Sequence, residues 1–237
     1  MLIYGINPVL EALKAGRVTA LKVTRRGGER LDEILRMAGA RGLAVHRVDG
    51  AALDRAARGG VHQGVVAEAV AAASYSVADL VSGASGPPLL VVLDGIEDPH
   101  NVGAILRTAD AAGADGVIRQ SRHAARLDGA AAKASAGAVA HVKIAEVVNI
   151  ARAIEELKEL GVWSVGLAGD ARERYDRLDL TAPTAIVLGA EGGGLRRLVR
   201  ERCDRLAAIP MHGHVGSLNV SVAAGVALFE AVRQRSG

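Results

Sequence analysis

Leu89-Leu90-Val91-Val92-Leu93-Asp94-Gly95-Ile96-Glu97-Asp98-Pro99-His100-Asn101-Val102-Gly103-Ala104-Ile105-Leu106-Arg107-Thr108-Ala109 is the stretch from which the rest of the chain is read. The unbroken apolar run Leu89 to Leu93 is the pattern of a strand covered on both faces, as in a parallel sheet. An acidic turn follows, and Asp98-Pro99 supplies an N-cap and a proline at the first helical position, predicting a helix to about Ala112. Val102, Ile105, Leu106 and Ala109 recur at i, i+3, i+4 and i+7, one apolar face for the sheet. Asn101 and Arg107 fall off that face. An arginine near the carboxyl edge of a parallel sheet lies where open α/β folds bind ligands. The same spacing is equally that of an N-capped helix with an ordinary surface arginine.

Outward from this unit the pattern repeats. Strands are expected at Gly116–Ile118, Trp163–Ala168, Ala185–Leu188 and Leu206–Ile209, with helices near Val148–Leu160, Leu195–Cys203 and Leu218–Arg233. Residues 89–237 therefore read as an α/β domain with a mainly parallel sheet. Upstream, Ser-Gly-Ala-Ser-Gly-Pro-Pro (Ser82 to Pro88) holds no regular pattern, and residues 74–88 read as a flexible linker. Residues 1–73 read as a smaller α/β unit. Its helices are expected from Asn7-Pro8 (N-cap and first residue) to Ala15, at Leu31–Ala40 and at Ala51–Ala57. Its strands are expected at Leu21–Thr24, Leu43–Val48 and Val65–Val70.

Composition narrows the function classes. No run of 18 or more apolar residues is present, so no membrane partner is expected. Met1-Leu2-Ile3-Tyr4-Gly5 lacks the basic and apolar segments of a secretory signal, and the chain reads as cytoplasmic. The single cysteine, Cys203, excludes an internal disulfide framework. The net charge of +3 is unevenly spread: residues 1–75 hold 11 Lys/Arg against 7 Asp/Glu, whereas residues 89–237 hold 18 of each. A basic N-terminal third suits a phosphate backbone, although scattered surface arginines give the same count. Aromatics amount to 2% of the chain, too few for base-stacking platforms. An RNA partner would be held by shape, backbone and arginine contacts.

Two further motifs stand beside ends of strands. Ile186-Val187-Leu188-Gly189-Ala190-Glu191-Gly192-Gly193-Gly194-Leu195 is strand, glycine-rich loop and helix, with backbone N–H groups free to meet a ligand. It is not a P-loop, since no Gly-Lys-Ser/Thr follows, and its glycine spacing is not the dinucleotide fingerprint. Ile209-Pro210-Met211-His212-Gly213-His214-Val215-Gly216-Ser217-Leu218-Asn219-Val220-Ser221 ends a strand and opens the last helix. Ser217 is placed to cap that helix, and Asn219 to offer a free amide from its first turn. His212 and His214 have no Cys, Asp or Glu partner at ligand spacing, so no metal site is expected. Cys203 has no histidine base beside it in sequence.

Taken in this order, the three motifs resemble those of the SpoU (TrmH) family of RNA ribose 2′-O-methyltransferases. Ile3-Tyr4-Gly5-Ile6-Asn7-Pro8-Val9 and Val61-His62-Gln63-Gly64-Val65 are similar to the L30e-like substrate-binding domain of longer members. The resemblance implies a C-terminal SPOUT domain with a trefoil knot, a homodimer that shares its active site, and S-adenosylmethionine as methyl donor without a metal. By matching position it implies functional roles for Asn101, Arg107, Glu191, Ser217 and Asn219. It implies a cofactor seat on the backbone around Gly189, Ile209 and Leu218. Within the family the likeness is to members acting on a guanosine of 23S ribosomal RNA. A tRNA substrate, a non-catalytic RNA-binding protein and a nucleotide-cofactor oxidoreductase are the alternatives.

Overall fold

The computed structural model describes residues 1–24, 28–70, 75–122, 125, 127 and 130–236. The N-terminal elements are β1 (Leu2–Tyr4), α1 (Ile6–Lys14), β2 (Val18–Thr24), α2 (Glu29–Ala40), β3 (Ala44–Val48), α3 (Gly50–Ala57) and β4 (Val65–Ala69). The strands form one sheet in the order β1-β4-β2-β3, with β4 antiparallel to both neighbours and β2 parallel to β3. Val9, Leu10 and Leu13 of α1 and Leu31 and Ile34 of α2 close one face over Leu21, Val23 and Val65. Leu53 of α3 lies with Val66 on the other. The α/β reading of this region holds. The helix start does not follow the expected cap: α1 begins at Ile6, whose N–H donates to Gln63 Oε1 at 3.0 Å. Asn7 instead accepts from Arg30 at 2.6 Å. Pro8 is tolerated because first-turn N–H groups have no intrahelical partner anyway.

Next in the chain come α4 (Val77–Ser82), β5 (Leu89–Asp94), α5 (Pro99–Ala111), β6 (Gly116–Gln120), α6 (Ala130–Ala134), β7 (Ile144–Val147) and α7 (Ile150–Glu159). They are followed by β8 (Trp163–Leu167), β9 (Glu173–Arg174), β10 (Thr184–Gly189), α8 (Arg197–Arg202), β11 (Arg205–Ala208) and α9 (Val220–Arg235). The seven strands β5 to β11 form a sheet in the order β7-β6-β5-β10-β8-β11-β9, and every pair in it is parallel. All six residues of β5 are buried, as its continuous apolar run requires. Leu90, Val92, Ile118, Ala185 and Val187 pack on one face with Ile150, Ile154 and Leu157 of α7. Helices α5 and α9 pack on each other, and α9 on β10.

Two features depart from the sequence reading. The stretch expected as a tether contains α4, opened by a capping box between Ser76 and Asp79, with Val77 and Leu80 buried. The apolar positions of α4, Val77, Ala78, Leu80 and Val81, span little more than one turn, too short a stretch for a helical period to stand out beside the Ser/Gly/Pro-rich sequence that follows. Pro87 and Pro88 are also tied down, their carbonyls accepting from the Arg235 guanidinium at 2.6 and 3.1 Å. Second, the compact units are Met1–Ala72 with Arg126–His141, and Ala73–Ala125 with Val142–Gly237. The segment with α6 joins the first unit because Gly137 lies directly on the Glu11 side chain, where no Cβ would fit. His141 Nε2 stands 3.1 Å from Glu11 Oε2 in the same unit.

Candidate functional site

The site is built at the carboxyl ends of β10 and β11. Strand β10 leads into a hairpin whose ends are tied by two hydrogen bonds, Ala190 N–H to Gly194 O (3.1 Å) and Gly194 N–H to Ala190 O (2.8 Å). Closure of this small requires glycine. Gly192 and Gly194 have φ of 73° and 63°, and a Cβ on Gly189 would run into the backbone of Gly194 and Leu195. The hairpin carries Glu191 outward. Arg196, two residues beyond Gly194, donates from its backbone N (2.8 Å) and Nε (2.7 Å) to the fully buried carboxylate of Asp94 at the end of β5.

Asn101 comes from the first turn of α5, which starts as predicted with Asp98 as N-cap, its side chain accepting from His100 N–H, and Pro99 in the first turn. Val102, Ile105, Leu106 and Ala109 are buried, as their spacing demands, but so is Asn101. Its burial is explained by its partners. Asn101 Nδ2 donates to Glu191 Oε2 at 3.3 Å, and its Oδ1 accepts from Asn219 Nδ2 at 2.9 Å. Asn219 Nδ2 also donates to Glu191 Oε1 at 2.6 Å.

Asn219, rather than Ser217, is the N-cap of the last helix: its Oδ1 accepts from Ser221 N–H (2.9 Å) and from Ser221 Oγ (2.6 Å). The expected free amide is thus fully committed, both donors and the acceptor being used. Ser217 sits two residues before the cap, in the loop, and lines a cavity of about 820 Å³. Gly189, Glu191, Ile209, Leu218 and Asn219 line it too. Leu188, Ile209, Met211 and Leu218 give the cavity apolar walls. Among the described residues no lysine or arginine forms an ion pair with Glu191, so its charge is held by neutral amides and faces the cavity unneutralised. Such a carboxylate favours a cationic ligand.

Arg107 is not drawn into this cluster. It is exposed on α5 and has no hydrogen-bond or ion-pair partner among the described residues. Sequence reasoning gave no role to Asp94, Arg196 or Ser221. The readable signal for Asp94 was a carboxylate ending an otherwise apolar strand, a position that requires a partner. Burial, with Asp204 and Asp94 nearby, pushes the Cys203 thiol up to about 12. Among the described residues no three His, Cys, Asp or Glu side chains stand together as a metal-ligand set.

Residues 88–229 match the model of the SpoU rRNA Methylase family. The chain belongs to this family. Residues 2–75 match the domain described as RNA 2′-O ribose methyltransferase substrate binding. The SpoU chain is 48% identical over 212 residues to the 23S rRNA (guanosine-2′-O-)-methyltransferase RlmB of Ralstonia nicotianae, covering 89% of this chain and 85% of the relative. It is 44% identical over 241 residues to the protein of the same name from Pseudomonas syringae, covering 99% and 96%. Among solved structures, the SpoU methyltransferase AviRb of Streptomyces viridochromogenes, in complex with the cofactor AdoMet, superposes with a TM-score of 0.84 at 28% identity. That match covers 100% of this chain and 91% of AviRb.

Proposed function

We propose that this SpoU protein transfers a methyl group from S-adenosylmethionine to the ribose 2′-hydroxyl of a guanosine in 23S ribosomal RNA. The observation that carries the reading is that Glu191 and Asn219, from separate parts of the chain, meet at the wall of one cavity, with Asn101 hydrogen-bonded to both from α5. The cavity suits the donor chemically: apolar walls for a purine and an aliphatic chain, main-chain groups at Gly189, Ile209 and Leu218, and a carboxylate, without an ion-pair partner among the described residues, for a sulfonium cation. When bound, S-adenosylmethionine supplies an electrophilic methyl carbon and its own leaving group, so the reaction calls for no metal.

The chain's own residues then have distinct tasks. Asn101 and Asn219 fix the Glu191 carboxylate by one hydrogen bond to each oxygen. Ser217 lines the same cavity and brings a hydroxyl-bearing side chain to it. Arg107, without a partner among the described residues, offers its charge to an RNA phosphate or to the ribose oxygen as that oxygen loses its proton. A guanidinium has no acceptor and a pKa above about 12, so this contribution is electrostatic. The N-terminal unit, residues 1–73, takes the RNA, in keeping with its basic excess and its match to the substrate-binding domain. A homodimer, with the knotted C-terminal domain of the family, completes the reading. Val222 and Phe229, exposed two turns apart on α9, support cover by a second copy. The reaction takes place in the cytoplasm; among the described residues no helix is long and apolar enough to cross a membrane.

The test is incubation of the full chain with methyl-labelled S-adenosylmethionine and, separately, 23S rRNA and total tRNA, followed by mapping of ribose methylation. One labelled guanosine in 23S rRNA is expected. Label confined to tRNA would overturn the substrate, and RNA binding without methyl transfer would overturn the enzyme.

A further inference from the structure

Asp94 is completely buried, and among the described residues Arg196 alone bonds to its carboxylate. Arg196 gives its carboxylate the backbone N–H at 2.8 Å, Nε at 2.7 Å and Nη2 at 2.5 Å, while the arginine side chain itself stays half exposed. An ion pair with a buried member adds little net stability, because desolvation offsets most of the attraction. Its effect is better sought in what it holds in place. Arg196 is the exit of the glycine hairpin that begins at Gly189. Entry is fixed by β10, and the neck by the two Ala190–Gly194 hydrogen bonds. Leu195 packs against the apolar core that includes Ala185 and Val187. Only Glu191, Gly192 and Gly193 remain at the exposed tip. A run of three glycines has unusual conformational freedom, and without anchors a ligand would have to order it on binding.

We infer that Asp94 and Arg196 are positioning residues for the cofactor cavity. Their ion pair locks the exit of the glycine hairpin, so that Glu191 meets Asn101 and Asn219 and the main chain at Gly189 and Ala190 forms a preorganised wall. Neither residue belongs to the Asn101–Glu191–Asn219 cluster, and both act through the loop between them. The inference rests on the reading of this cavity as the seat of S-adenosylmethionine.

The test compares the full chain with Asp94→Asn, Arg196→Gln and the double variant. S-adenosylmethionine affinity is measured by titration calorimetry, affinity for 23S rRNA by filter binding, and the thermal midpoint separately. Each single substitution is expected to weaken S-adenosylmethionine binding about tenfold, roughly 1.4 kcal/mol. RNA affinity is expected to stay within about twofold, and the double variant to bind no worse than the weaker single, because both remove one lock. A merely structural role would lower the thermal midpoint and leave the affinity of the folded protein unchanged, which overturns the inference. Additive losses, or a loss of RNA affinity in place of cofactor affinity, overturn it too. If Asp94→Asn does not fold, Arg196→Gln, at a half-exposed position, decides alone. Failure of the unsubstituted chain to bind S-adenosylmethionine would overturn the functional reading and this inference together. Normal binding that neither variant changes would overturn only the inference.

Discussion

Asn101 and Arg107 stand six residues apart on α5, and the fold treats them in opposite ways. Asn101 is buried and bonded to both Glu191 and Asn219. Arg107, about 9 Å further along the axis and roughly a third of a turn away in rotation, is exposed and unpaired among the described residues. One end of the helix is part of a finished network and the other is a charge in waiting. The difference teaches how a site divides its work. On the proposed reading, groups that must be aligned beforehand are locked by hydrogen bonds, while Arg107, the group proposed to act on the developing transition state, keeps its charge available for the substrate.

That division breaks or sharpens with three substitutions. Arg107→Ala is expected to lower the methyl-transfer rate roughly a hundredfold to a thousandfold, the usual cost of losing an electrostatic stabiliser. S-adenosylmethionine affinity is expected to be unchanged, and the thermal stability to move by no more than about 0.5 kcal/mol, as for an exposed surface residue. Near-normal turnover would remove Arg107 from the site. Glu191→Gln tests the locked end. One of the two incoming amide donors would face the glutamine NH₂ instead of an acceptor, leaving a donor unsatisfied at about 1–3 kcal/mol. A fall of roughly tenfold to a hundredfold in kcat/KM, with S-adenosylmethionine binding weakened, is expected; an unchanged affinity would mean that the carboxylate charge does not act on the ligand. Ser221→Ala should have the smallest effect. It removes one of two hydrogen bonds on Asn219 Oδ1, and a loss of a few-fold in rate, about 1 kcal/mol or less, is expected. A rate equal to that of the parent would show that the Ser221 backbone N–H alone orients the amide.

The same contrast explains which parts of the molecule were legible in the sequence. Asp98-Pro99 and the spacing Val102, Ile105, Leu106, Ala109 act locally, and the helix and its apolar face follow from them directly. The apolar run at Leu89 to Leu93 called for cover on both sides and lies in the interior of a parallel sheet. Long-range partners were not legible. Gln63, 57 residues away, displaces Asn7 as the group that receives the first N–H of α1. Asn219, not Ser217, caps α9, because it is held in place by Asn101 and Glu191 from distant segments. Short elements such as β1, α4, β7 and β9 were missed because two to six residues carry no readable period.

The sequence by itself determined the α/β architecture, the parallel sheet, and the three motifs whose order marks the family. These depend on periodicity, caps and glycine positions, all of which are written within one element or one turn. Tertiary structure decided how those motifs meet. It turned Asn101 inward, committed the Asn219 amide, left Arg107 unpaired among the described residues, and set Arg196 on Asp94, 102 residues earlier in the chain. The physical reason is that a buried polar group must find its partners, and in a sheet with crossover helices those partners come from loops far apart in sequence.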